Sequence, residues 1–89
     1  MKLNDKKLML IEWVDSHSSR GWQDINTIEE KAIPLYCRSV GWLIKETGHC
    51  KVIVPHISGE ENRDIMLQGC GDMVIPTKAI MKVSILKVD

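Results

Sequence analysis

Cysteine and histidine side chains hold metal ions, and the candidates here are Cys37, His49, Cys50, His56 and Cys70. Zinc sites normally show at least one close ligand pair, Cys-x-x-Cys or His-x-x-x-His, and neither spacing occurs among them. His49 and Cys50 are adjacent, and on a strand adjacent side chains point to opposite faces. The pattern predicts no metal and no cofactor, with the cysteines acting as small apolar residues. Nucleophilic catalysis needs a serine or cysteine beside a base that a third group orients. Asp15, Ser16 and His17 are neighbours in sequence, but triads are assembled in space, so adjacency is no evidence for one. Cys50 and His56 on one extended strand would stand about 20 Å apart, beyond hydrogen-bonding reach. The chain reads as a protein without catalysis.

Contact chemistry is better represented. The chain has three tryptophans, one tyrosine and no phenylalanine. Trp13 and Trp42 lie in apolar stretches and are expected to fill the interior, as large amphipathic rings do. Trp22 follows Gly21 in a polar loop, where packing explains it less well. An exposed ring there can anchor a protein partner or stack on a base. Asp15 and Ser16 end an apolar stretch, and their side-chain oxygens suit a turn. Arg38 and Ser39, next to Gly41 on a bent strand, could present a guanidinium and a hydroxyl to an anion. Asp15, Ser16, Trp22, Arg38 and Ser39 are therefore the candidate ligand- or partner-binding residues.

The elements that position them are short. Lys7–Val14 is an apolar stretch whose brevity and Ile11-Trp13-Val14 ending favour a strand. Polar residues and Gly21 follow as a loop. Residues Asp24–Lys31 read as a helical turn, with Thr27 and Glu30 at capping-box spacing, and Pro34 closes it. Cys37–Glu46 is a strand with Val40, Trp42 and Ile44 on one face and Gly41 permitting a bend or bulge. Thr47-Gly48-His49 turns the chain into a second strand, Cys50–His56, making a hairpin. An acidic loop with Glu60, Glu61 and Asp64 leads to Ile65–Gln68 and Met73–Ile75, interrupted by Gly69-Cys70-Gly71. A single turn at Ile75–Ile80 then opens the last strand, Met81–Val88.

Bent strands in a meander, one helical turn and a closing strand are the order of small SH3-like and Sm-like barrels. The expected fold is a mainly β, five-stranded barrel with one short helix; an α+β open sheet is the alternative. With 89 residues the chain holds one domain, residues 1–89. A domain this small buries only about 60–65% of its unfolded surface, and homo-oligomerisation is an expected way to bury more.

Acids and bases cancel, 12 against 12, which removes the strongest signal of nucleic-acid binding. Lys2, Lys6 and Lys7 near one end and Lys78, Lys82 and Lys87 near the other would share a surface only if the ends meet. No apolar run reaches the ~18–20 residues of a transmembrane helix. Leu8–Ile11 is too short for a signal-peptide core. An odd number of cysteines, three, suits a reducing compartment. These features predict a cytoplasmic protein with no membrane contact.

The succession Trp13-Val14-Asp15-Ser16, Gly21-Trp22, Cys37-Arg38-Ser39-Val40-Gly41-Trp42 and Ile75-Pro76-Thr77-Lys78-Ala79-Ile80 resembles a group of small, uncharacterised phage and prophage proteins. The likeness runs from about Leu10 to Leu86. It implies a phage origin and a bacterial host cytoplasm, and it supplies no activity. Together these readings predict a non-catalytic, homo-oligomeric binding protein that modulates a host process through a host protein or a small anionic ligand. The less favoured alternative is an Sm-like oligomeric RNA- or DNA-binding protein.

Overall fold

The computed structural model describes residues 6–61 and 66–88. Lys2, Asp64 and Ile65 lie outside them. The first strand, β1 (Leu8–Asp15), alternates: Met9, Ile11 and Trp13 turn to one side and Leu8, Leu10, Glu12 and Val14 to the other. It is an interior strand of a sheet, paired on both sides with antiparallel neighbours. On one side is β2 (Leu35–Glu46), in register from Leu8 opposite Trp42 to Asp15 opposite Leu35. On the other is β7 (Ile80–Leu86), with Leu8 opposite Leu86.

The hairpin partner of β2 is β3 (Cys50–Val54), and β6 (Met73–Pro76) flanks β3. The expected turn between β2 and β3 is present. Thr47 Oγ1 accepts hydrogen bonds from the His49 and Cys50 amides at 3.1 Å each, and the Thr47 amide donates to the Cys50 carbonyl. The helical turn before the last strand is also present, as a 3-10 turn over Thr77–Ala79. Its first amide donates to the His49 carbonyl at 2.8 Å, which ties it to the β2–β3 hairpin.

The result is a mainly β chain with a five-stranded antiparallel sheet in the order β6-β3-β2-β1-β7. The expected closed barrel is not formed: among the described residues no ladder joins the edge strands β6 and β7, and the open sheet of the alternative fits. β6 has four residues and ends in Pro76, which has no amide to donate, so it offers little backbone for a seam.

The core sits on one face. Met9, Ile11, Ile53 and Ile75 are buried together, with Trp13, Leu43, Ile80 and Val83 packed against them. Burying each such aliphatic side chain contributes about 1.5–3 kcal/mol. Gly41 is required here by close approach: a Cβ on it would lie 3.0 Å from the Val54 carbonyl oxygen and 3.1 Å from Ile53 Cβ. The bulge in β2 falls between Leu43 and Lys45, leaving Ile44 as the extra residue.

Three expectations about these elements are corrected. The inward face of β2 is the odd one, Ser39, Gly41 and Leu43, because β1 presents Met9 and Ile11 to that side; Val40 and Trp42 face outward and Ile44 is the bulge. The expected strand Cys50–His56 breaks at Pro55, and β4 (His56–Ser58) pairs with β5 (Gln68–Cys70) as a separate two-stranded ribbon. Gly69 and Cys70 thus belong to a strand, and the chain turns at Gly71, whose φ of 79° suits glycine.

The helix, α1 (Ile25–Glu30), begins one turn earlier than a capping box would place it. Asp24 occupies the N-cap position without a side-chain cap, so Thr27 and Glu30 fall inside the helix and make no box. No residue of α1 is buried. No helix among the described residues is long and apolar enough to cross a membrane.

Candidate functional site

The connection from β1 to β2 leaves the sheet as an arm, Ser16–Pro34, which carries two of the five candidate residues, Ser16 and Trp22, with Asp15 at its base. Asp15 ends β1, and its Oδ1 accepts the Ser16 amide at 2.8 Å. That bond shapes the departure of the chain from the sheet, as expected of an aspartate before a turn.

The arm is braced across its width. His17 Nε2 lies 2.6 Å from the Ile33 carbonyl; a carbonyl only accepts, so this nitrogen carries the proton. Lys31 Nζ donates to Gln23 Oε1 at 3.1 Å and to Ser19 Oγ at 3.5 Å. Between the two sides lies an open hollow of about 750 Å³, reached by Asp15, Ser16, Glu29 and Lys31 among others. The bracing groups His17, Gln23 and Lys31 were not singled out from sequence. Their spacing carries no local signal, since each bond spans eight or more residues, α1 included.

Trp22 stands at the tip with a relative exposure of 104%. The φ of 86° at Gly21 swings the chain so that the ring meets nothing of its own molecule. Ile25, Ile28 and Ile33 on the same arm are exposed as well. Ile28 and Ile33 line the hollow, and Trp22 and Ile25 stand outside it, so this segment leaves four large apolar side chains exposed.

Arg38 and Ser39 are separated by the sheet. Neighbours on β2, they point to opposite faces. Arg38 faces outward, three ladder positions from the base of the arm, and its Nε donates to Glu12 Oε1 at 3.0 Å. Ser39 faces inward, where its Oγ accepts the Trp13 indole N–H at 3.0 Å and donates to Met73 Sδ at 3.5 Å. The two cannot offer a guanidinium and a hydroxyl to the same anion. Trp13 fills the core face as expected, but Trp42 does not. It lies half-buried on the outer face over an open hollow of about 540 Å³ with Leu8, Leu86, Val88 and Lys6.

The start of β1 lies beside the end of β7, because the two strands are ladder partners. Lys6 and Lys7 thereby lie near Lys87, whereas Lys82 stands opposite Glu12 farther along the sheet. Of the cysteines, Cys37 donates weakly to the Leu35 carbonyl, Cys50 lies 3.6 Å from Thr47 Oγ1, and Cys70 is exposed. Among the described residues no three metal-ligating side chains come together.

Comparison with family models, curated proteins and solved structures finds no match to this chain.

Proposed function

We propose that this chain is a non-catalytic binding protein of phage or prophage origin that modulates a process in the host cytoplasm by docking a host protein through the arm Ser16–Pro34, with Trp22 as the anchor. The observation that carries this reading is the full exposure of Trp22 at the tip of a cross-braced arm. Aromatic anchors dominate the energetics of protein interfaces, and a segment held in shape before binding loses less entropy on docking. A small anion is less well served, since Arg38 is engaged by Glu12 and Ser39 by Trp13.

The test is retention of host-lysate proteins on the immobilised chain, wild type against Trp22→Ala, read by quantitative mass spectrometry. Loss of an aromatic anchor worth about 2 kcal/mol should lower retention of the specific partner about thirtyfold. A host protein held equally by both chains would remove Trp22 from the site.

A second reading has its own support. The strand order, with a 3-10 turn between the two edge strands, follows that of an SH3-like or Sm-like barrel laid open. Lys6 and Lys7 near Lys87, beside Trp42, are a surface on which a nucleic-acid strand would rest. That reading requires affinity for a single-stranded oligonucleotide that falls steeply as salt rises.

A further inference from the structure

The outer face of the sheet carries more apolar surface than a solvated face needs. Directly opposed residues of an antiparallel ladder share a face, so the register lays out its rows. The first row runs Val54, Trp42, Leu8 and Leu86 across β3, β2, β1 and β7; Val54 is already buried beside Gly69 of the β4–β5 ribbon, and the other three are half-buried. The second is Val40, Leu10 and Ser84. The third is charged: Arg38, Glu12 and Lys82. An antiparallel sheet with one solvated face normally shows polar residues there. This one has an apolar row and a second row of Val40 and Leu10 ending in Ser84, bordered by an ion pair, and Val40 at the β2 end of the second row is 50% exposed.

The surface area leaves room for a contact between copies. The chain exposes 7342 Å², whereas a compact protein of 10.1 kDa exposes about 5,300 Å². Its radius of gyration is 17.4 Å against about 12 Å for a compact chain of this length. The arm and the β4–β5 ribbon carry part of the surplus, which is about 2,000 Å². Each subunit of an obligate homodimer buries about 1,000–2,500 Å², so the share of the surplus that the sheet carries falls within what one interface with a second copy covers.

We propose that the outer face packs on the same face of a second copy, sheet on sheet, as a two-fold dimer. The charges favour a second copy over other occupants. A two-fold interface sets a patch against itself, and the border row carries both signs. Lys82 of one subunit, which has no ion pair among the described residues, can therefore face Glu12 of the other. The chain's net charge of zero adds no repulsion between copies. The face is distinct from the arm, so the proposal stands whether or not Trp22 docks a host protein.

Native mass spectrometry and sedimentation velocity over an about hundredfold concentration range test it. The wild type is expected at twice 10.1 kDa, as is Trp22→Ala. Val40→Glu, which places a charge in the second row without touching the core, is expected at the single-chain mass with an unchanged circular dichroism spectrum. A wild type that stays at the single-chain mass throughout overturns the dimer, and so does a folded Val40→Glu that still pairs. A single chain carrying retained nucleic acid would also overturn it, assigning the face to that ligand. Should Val40→Glu fail to fold, hydrogen exchange of the wild type decides. Protection of residues 8–10 and 40–42 should rise with concentration, and protection independent of concentration overturns the proposal.

Discussion

Ile11 and Trp22 are both large apolar residues, yet Ile11 is 0% exposed and Trp22 stands wholly in solvent. The strand bearing Ile11 is paired on both sides, and Ile53 and Ile75 close over its inner face. The arm bearing Trp22 is held by three side-chain hydrogen bonds and buries none of its helix. Stability and contact chemistry are thus divided between two regions. The sheet holds the fold, and the arm is free to spend its apolar surface on another molecule.

The sharpest way to break that division is to truncate one residue of each kind. Ile11→Ala removes a fully buried side chain from the centre of the core, and such changes cost about 2–5 kcal/mol. Trp22→Ala removes a larger ring from solvent, where substitutions fall within about 0.5 kcal/mol. Urea unfolding at one fixed protein concentration measures both. Similar losses for the two variants would mean that the arm packs on the sheet and that the division is false.

Gly41 probes the sheet from the opposite direction. Gly41→Val introduces atoms where even a Cβ lies 3.0 Å from backbone. Neither the Val54 carbonyl nor the Ile53 Cβ can swing aside as a side-chain tip would. Overpacking of this kind costs about 1–3 kcal/mol. Gly48, in the β2–β3 turn, has nothing within 4 Å of a built Cβ, so Gly48→Ala is its control. Equal urea midpoints for the two variants would show that β2 and β3 separate easily at Gly41.

The sequence made the strands legible because alternation and turn residues are local. The Thr47-Gly48-His49 turn and the turn at Thr77–Ala79 follow from residue types that few other conformations favour, whereas the bulge expected at Gly41 falls at Ile44. The sequence did not reveal which face of β2 is buried. Val40, Trp42 and Ile44 look like the core set, and the inward residues Ser39 and Gly41 look polar or empty. The choice is made by β1 and β3, which bring Met9, Ile11 and Ile53 to the odd side. A sheet with apolar residues on both faces has no inside that one strand can declare. The candidate site was legible where it depends on exposure within a loop, as with Trp22. It was not where it depends on pairing: the Arg38–Glu12 contact spans 26 residues, and Ser39 is drawn inward by an indole equally remote.

The smallest expected effect lies at the far end of β2, where Glu46 and Lys51 oppose each other in the ladder. The Lys51 ammonium is 2.7 Å from Glu46 Oε1, and its side chain is 15% exposed against 52% for the glutamate. The hydrogen bond from Lys51 is the main cause that holds the Glu46 carboxyl below its usual value of 4.5; the charge of Lys51 adds to it, and that of Lys7 adds less. A carboxyl lowered in the folded state stabilises the fold above its unfolded value, and that contribution is lost as pH falls through the folded one. Glu46→Gln should therefore melt below the wild type at pH 7, with the two melting curves converging as pH drops below 4.5. The gap should also narrow in high salt, because the carboxylate is exposed and screened. A gap that persisted in acid would mean that Glu46 supports the strand end through its stem, packed beside Lys51, and not through its charge.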